Sequence, residues 1–479
     1  MSRPGSEERP LRVAIVGAGP SGFYAAEHLQ ERTDLVALID MYDRLPTPFG
    51  LVRGGVAPDH QKIKSVTRVY DRIATHSHFR FFGNVEFGRD VTDADLADHY
   101  HAAIYATGAR TDRRMGIPGE ELAGSHPATE FVGWYNAHPD FHDVRFDLSG
   151  AHVVIVGNGN VAIDIARILA SPPELLAETD IADEALAALR ASRVRTITVL
   201  GRRGPAQAAF TAKELKGLAS VPDTDVVVEA GALVADLGGT GEGDARTLEL
   251  LRELAGRARV GAAREIHLRF LASPVEILGA EHVERLVVAE NELYEGSRGR
   301  LRARPTGRYE TIPADLVLRA IGYRGVALPG VPFDEAHGVI PNAGGRMLDG
   351  VDGRPIPGEY VVGWIKRGPQ GIIGTNKPDA QETVEALLED LAAGHLREPY
   401  RPAPAAVEEL LRRRKPDYVT YEDWQIIDAM ERQRGAESGR ARRKFTRVEE
   451  MLDALAERKD SIEAADEALE TAEVPERPG

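Results

Sequence analysis

Val13-Ala14-Ile15-Val16-Gly17-Ala18-Gly19-Pro20-Ser21-Gly22 decides how this chain folds. An apolar run ends in a Gly-x-Gly-x-x-Gly turn, and a helical pattern follows. The arrangement recurs at Val153–Val156, where Gly157-Asn158-Gly159-Asn160-Val161-Ala162 again joins an apolar run to a helical pattern. In a strand–turn–helix unit the first glycine permits the tight turn and the second lets backbone approach a pyrophosphate. The third small residue lets the helix pack on the strand. The pyrophosphate rests on the unpaired N–H groups of the helix N-terminus. Two such units predict two nucleotides on one chain, an architecture for passing electrons between cofactors.

The 479 residues suffice for two or three domains, and 43% hydrophobic with 28% charged residues is ordinary for a globular chain. No apolar run approaches the roughly 18 residues of a membrane span. Met1 to Pro10 is polar and carries no signal-peptide core, so a cytoplasmic location is expected. There is no cysteine. Disulfides, thiolate metal sites, cysteine-ligated clusters and redox dithiols within the chain are therefore excluded, and no metal site is predicted. Electrons reaching a flavin here could not leave through an internal disulfide, as they do in glutathione or thioredoxin reductases, and would need a separate acceptor. The net charge of −16 disfavours nucleic acid as a partner. Asp460–Gly479 holds seven acids and one arginine, and this composition predicts a disordered acidic tail over 458–479.

The pattern predicts one plan twice. In the first unit a helix runs to about Gln30, a strand covers Leu35–Met41, and Ala102–Tyr105 closes into Ala106-Thr107-Gly108. In the second, a helix reaches Ala170, another lies near Ala182–Ser192, and strand Thr196–Leu200 follows; Leu316–Leu318 closes into Ala320-Ile321-Gly322. Strand Tyr360–Trp364, a glycine-rich loop over Gly368–Asn376, and helices over Pro378–Ala393, Ala405–Arg414 and Glu422–Arg432 complete the chain. The expected fold is α/β: two Rossmann-like dinucleotide-binding domains of the glutathione-reductase type, the second inserted into the first. The boundaries are 1–108, 109–329 and 330–457, the last including a C-terminal helical extension.

A carboxylate roughly 20 residues beyond the last glycine usually accepts hydrogen bonds from the ribose. Asp43 stands there in the first unit, with Asp40 as the alternative. A carboxylate repels a 2′-phosphate, so this site suits FAD or NAD. In the second unit, strand Thr196–Leu200 leads instead into Gly201-Arg202-Arg203-Gly204. Two guanidinium forks in place of the acid favour NADP.

Four longer strings carry a family likeness: PTPFGLVRGGVAPDH at 46–60, GNGNVAIDIARIL at 157–169, GRRGPAQAAFTAKEL at 201–215 and GWIKRGPQGIIGT at 363–375. From about Leu11 to about Leu455 the chain resembles adrenodoxin reductase and its bacterial ferredoxin–NADP(+) reductase relatives. The resemblance implies FAD in the first domain, lined by Gly17, Gly19, Ser21, Gly22, Asp43, Leu51 and Val85, with Trp364, Gly371, Ile372 and Ile373 at its ring. It implies NADP(H) on Arg113, Asn158, Gly159, Asn160, Val161, Arg202, Arg203 and Glu214, with the Gly371 backbone beneath the nicotinamide. His60 and Asp164 are implied near the flavin and nicotinamide as a polar, catalytic pair. Some bacterial relatives continue Glu-Leu-Arg-Glu where this chain reads Glu214-Leu215-Lys216-Gly217, so a second carboxylate that could partner His60 is missing.

The implied reaction is that of a flavoprotein oxidoreductase: hydride from NADPH to FAD, then single electrons to a ferredoxin-type iron–sulfur protein, which could supply a cytochrome P450. Lys213, Lys216, Arg252, Arg257 and Arg259 are candidates for a basic docking face. Alternatives are a general NADPH:quinone or dye reductase, an electron-input protein like the glutamate synthase small subunit, and an NADPH-binding sensor. The absence of cysteine argues against the second of these, because such subunits carry cysteine-ligated clusters.

Overall fold

The computed structural model describes residues 4–229, 231, 233, 245–296 and 301–472. The chain divides into two compact units. One takes the chain up to Val56, then His60–Arg110 and everything from Arg324; the other takes Ala57–Asp59 and Thr111–Tyr323.

The first unit is built on a seven-stranded sheet ordered Asn342–Ala343, Arg346–Leu348, Pro355–Val361, Ala102–Tyr105, Leu11–Val16, Ala37–Tyr42, Phe79–Phe82. The last five of these strands are parallel, and the first three form an antiparallel edge. Parallel strands buried on both faces read as continuous apolar runs, and Leu11–Val16 is buried throughout. Helix Pro20–Gln30 packs on helix Asn376–Ala393 above one face.

The second unit has a six-stranded, all-parallel sheet ordered Ser125–Pro127, Leu316–Arg319, His152–Val156, Thr196–Leu200, Arg264–Arg269, Thr224–Val228. Helix Asn160–Ala170 lies against it, burying Ile163, Ile165, Ile168 and Leu169. An antiparallel sheet of Ala272–Leu278, Arg285–Glu295 and Leu301–Pro313 accompanies it. The sequence reading contained no counterpart to this sheet. Its outer strand alternates charged residues with small ones and buries too little apolar surface to leave a period-two signal.

Three further expectations differ from the structure. Strand Pro355–Val361 ends before Trp364, because Gly363 at φ +77° caps a single helical turn that Trp364 opens, Trp364–Arg367. The helix expected from Pro378 begins at Asn376; a proline in the first turn removes an N–H that has no helical partner anyway. The acidic tail expected to be disordered from 458 is helical to Ala472, within helix Val448–Ala472. Met451 and Leu455 are buried in the first unit's core, Lys459 pairs with Asp423 at 2.6 Å, and the following alanines and glutamates propagate the helix. Residues 473–479 lie outside the described residues. Among the described residues no helix is long and apolar enough to cross a membrane.

Candidate nucleotide sites

In the first unit, Gly17 turns the chain at φ +111°, and a Cβ there would stand 2.5 Å from the Ala106 carbonyl oxygen. A Cβ on Gly22 would meet the Gly17 carbonyl at 2.3 Å, so helix and strand approach as closely as backbone allows. A Cβ on Gly19 would meet nothing within 4 Å. Gly19 is also the N-cap of helix Pro20–Gln30 and brings no side-chain cap. Open space over an uncapped helix N-terminus fits a pyrophosphate.

Beside this opening, Asp43 follows strand Ala37–Tyr42. Its Oδ2 accepts the Ala18 N–H at 2.8 Å and its Oδ1 the Leu45 N–H at 3.0 Å. Burial pushes its carboxyl above the ordinary range, against those two N–H groups. Asp40, the alternative, is taken. Arg12 donates to it at 2.7 Å, Arg80 at 2.7 and 2.6 Å, and the Tyr100 hydroxyl at 2.6 Å. Burial alone would raise its pKa, but the two guanidiniums outweigh it and hold the carboxyl low. Asp40 therefore braces the sheet, and Asp43 is the acid held against the fingerprint backbone.

The other expected flavin residues connect to this point through the chain's own contacts. Buried Val85 donates its N–H to the Asp43 carbonyl at 2.9 Å. Leu51 follows a tight turn in which Phe49 N–H donates to the Ala18 carbonyl at 2.7 Å and a Cβ on Gly50 would lie 3.0 Å from Gly19 Cα. Ser21 donates to Asn376 Oδ1 at 3.0 Å, and Arg367 reaches the same oxygen at 2.7 Å. Asp379, in the first turn of helix Asn376–Ala393, accepts the Gly363 N–H at 2.6 Å. Half-buried Trp364 donates from Nε1 to the Gln370 carbonyl at 3.1 Å. Gly371 and Ile372 are exposed, Ile372 at 63%, while Ile373 packs against the core.

The second unit repeats the backbone of the first. Gly157 sits at φ +128° with a prospective Cβ 2.2 Å from the Ala320 carbonyl oxygen, and nothing lies within 4 Å of one on Gly159. The strand end differs. A Cβ on Gly201 would be 2.8 Å from the Asn158 side-chain nitrogen, so Asn158 occupies the space a side chain at 201 would need. The loop is pinned by its backbone: Leu271 N–H donates to the Arg203 carbonyl at 3.0 Å and Asn291 Nδ2 to the Arg202 carbonyl at 2.9 Å. Arg202 is exposed and Arg203 half-buried; among the described residues neither guanidinium has an acidic partner. Asn160 Oδ1 accepts the Thr211 N–H at 2.9 Å, joining the fingerprint to helix Ala212–Ala219, and half-buried Val161 packs against the core. Exposed Arg113 is fixed by its N–H on the Gly322 carbonyl at 3.1 Å.

Sequence reasoning missed Arg167. Buried in helix Asn160–Ala170, it donates to Asp59 at 2.6 and 2.9 Å, pairs with Asp164 at 2.7 Å, and lies 3.6 Å from Glu214. Burial opposes its charge, and Asp59 and Asp164 overcome that opposition. The i, i+3 spacing of Asp164 and Arg167 on one helix was a signal for the pair; Asp59, from a remote part of the chain, gave none.

Residues 11–202 match the pyridine nucleotide-disulphide oxidoreductase family. The chain is 48% identical over 456 residues to NADPH-ferredoxin reductase FprA of Mycobacterium tuberculosis, covering 93% of this chain and 99% of that protein. It is 40% identical over 468 residues to the mitochondrial NADPH:adrenodoxin oxidoreductase of Arabidopsis thaliana, covering 94% and 96%. The solved structure of Mycobacterium tuberculosis FprA in complex with NADPH superposes with a TM-score of 0.89 at 48% identity, covering 94% of this chain and 100% of that one. The chain belongs to the adrenodoxin-reductase-type ferredoxin–NADP reductases.

In this member of the reductase family, His60 lies in the first unit and Asp164 in the second. The half-buried histidine caps the turn Gln61–Lys64, its carbonyl accepting the Ile63 and Lys64 N–H groups at 2.9 and 3.1 Å. Gly217 stands where a Cβ would have only Arg167 Cδ near it, at 4.0 Å. The reductase therefore has no second carboxylate there to draw Arg167 away from Asp59 and Asp164.

Proposed function

We propose that this protein is an FAD-containing ferredoxin–NADP(+) reductase that oxidises NADPH and reduces a ferredoxin-type iron–sulfur protein. The observation that carries the reading is the exchange at one strand-end position, Asp43 in the first unit against Gly201-Arg202-Arg203 in the second. The chemistry that FAD would supply when bound is acceptance of a hydride from NADPH and release of electrons one at a time.

The chain's own residues bind and orient. Gly17, Gly19 and Gly22 open the first helix N-terminus to the FAD pyrophosphate, and Asp43 receives the ribose hydroxyls. Leu51 and Val85 line the same opening. Trp364 and Gly371–Ile373 border the ring, and the N-terminus of the 18-residue helix Asn376–Ala393 favours negative charge there. Asn158, Gly159, Asn160 and Val161 hold the NADP(H) pyrophosphate, and Arg202 and Arg203 grip the 2′-phosphate. Arg113 and Glu214 add to that site. His60 and Asp164 orient the reacting rings, with Arg167 steadying Asp164.

Lys213, Lys216, Arg252, Arg257 and Arg259 are exposed, and helix Ala212–Ala219 packs beside helix Ala245–Ala255. On a chain of net charge −16 they form the docking face for an acidic partner. The same proposal places the protein in the cytoplasm, where NADPH and a ferredoxin-type protein circulate, and cell fractionation tests that placement.

The decisive experiment compares acceptors. The purified protein is expected to be yellow and to bleach with NADPH far faster than with NADH. Turnover with a ferredoxin should fall as salt rises while ferricyanide reduction stays level. A colourless protein would exclude the flavin reading, and a quinone outpacing every ferredoxin would favour the general reductase.

A further inference from the structure

Among the buried groups of the first unit that the proposed chemistry does not use, one carboxylate stands out. Glu431 is fully buried in helix Tyr421–Ala436. Arg53 donates to it from both guanidinium nitrogens, at 2.9 and 2.6 Å. Arg442 donates at 2.8 Å, and the Phe445 N–H at 3.0 Å. Arg53 sits in the turn Leu51–Gly54, immediately after the Phe49–Gly50 bend, whose Phe49 N–H donates to the Ala18 carbonyl at 2.7 Å next to Gly19. Phe49 holds φ +84°, a conformation that a non-glycine residue keeps only when its surroundings enforce it. That enforcement comes partly from the same helix: Trp424 packs edge-on against Phe49 at 5.8 Å, and the Arg53 guanidinium lies over Trp424 at 5.1 Å. Lys444 closes the arrangement by donating to the Arg53 carbonyl at 3.1 Å.

We propose that the C-terminal segment Tyr421–Phe445 is a strap that retains FAD, and that Glu431 is its positioning residue. Glu431 acts through Arg53 to hold the strained Phe49–Gly50 bend against the pyrophosphate glycine. The carboxylate touches no cofactor. It couples a segment about 380 residues away in sequence to the flavin loop, and a bidentate charge-assisted pair fixes direction as well as distance. The inference rests on FAD occupying the first unit. Because binding linkage is reciprocal, bound FAD must in turn steady the strap.

The test uses the full-length holoprotein, native and as Glu431→Gln, Glu431→Asp and Arg53→Met. FAD release is followed as recovery of free-flavin fluorescence, and thermal midpoints are measured with and without FAD. Glu431→Gln is expected to speed release by about tenfold, Glu431→Asp by less, and the holo midpoint should fall further than the apo midpoint. Removing FAD from the native protein should open the chain at Arg442 and Lys444 to trypsin. Release within twofold of native, with apo and holo midpoints lowered equally, would reduce Glu431 to a fold-stabilising ion pair and overturn the proposal. If Glu431→Gln does not fold, Arg53→Met reads the same contact from the loop side, and unchanged release there is equally fatal. A native protein that binds no FAD would sink the functional reading first, so the two failures are distinguishable.

Discussion

The two fingerprint units share one backbone, and they exchange an acid for a glycine at the strand end beside it. Gly17 N–H donates to the Tyr42 carbonyl at 2.8 Å and Gly157 N–H to the Leu200 carbonyl at 2.9 Å. Ala106 donates to Val16 at 2.8 Å and Ala320 to Val156 at 2.7 Å. Ala18 therefore corresponds to Asn158, and Asp43 to Gly201. In the first half a small residue leaves room for an acid, which its N–H holds in place. In the second an asparagine fills that room, glycine is required opposite, and the recognition charge moves on to Arg202 and Arg203. The same strand–turn–helix backbone recurs in both halves; on the proposed reading the strand-end pair selects which dinucleotide each half takes.

The largest effect should come from breaking what the halves share. Gly157→Ala forces a Cβ to 2.2 Å from backbone at positive φ. It should cost about 2–4 kcal/mol in urea unfolding and abolish NADP(H) binding. Gly19→Ala meets no protein atom, so it should fold normally and lose only its flavin. Next, Arg202→Ala/Arg203→Ala should lower the preference for NADPH over NADH by about 100-fold or more, since each charge-assisted bond is worth about 1.5–3 kcal/mol. The ratio of kcat/KM for the two coenzymes is the measurement.

Acid probes the first unit's core. There, buried His101 accepts the Arg12 N–H at 2.9 Å, and burial lowers its pKa to about 4. Glu359, paired with Arg397, is raised by burial to about 7. Between about pH 6.5 and 4 the unfolded histidine binds protons that the native one refuses, so stability falls on acidification. Between about pH 7 and 4.5 native Glu359 binds a proton that the unfolded chain does not, so stability rises. The two offset one another in the native protein. Glu359→Gln should unmask the histidine and make the first unit about 2 kcal/mol less stable at pH 4.5 than at pH 7, read from thermal midpoints. The smallest effect sharpens the strand-end comparison: Gly201→Ala should cost about 1 kcal/mol, and Asn158→Ala should recover most of it in a double-mutant cycle.

The parts of both sites that were legible in sequence are those whose chemistry is local. Gly17, Gly19, Asp43, Gly157, Gly159, Arg202 and Arg203 sit at or next to strand ends, where spacing along the chain sets spacing in space. Asp40 illustrates the limit. It lies three residues before Asp43 with the same functional group, and only the fold shows that Arg12 and Arg80 consume it. The antiparallel sheet over 272–313 escaped because its outer face is charged, and the helical tail because its composition favours both a solvated coil and a helix.

A run of residues along one strand, its turn and the next helix determined the two strand–turn–helix units and pointed to two dinucleotides, because those elements are contiguous and their geometry is nearly invariant. The positions of Arg53, Glu431 and Arg442, of Asp59 and Arg167, and of Ser21 and Asn376 emerged only on folding. Each of these groups joins residues more than a hundred positions apart, and a side chain meets such a partner only after the core has closed and brought the two backbones together.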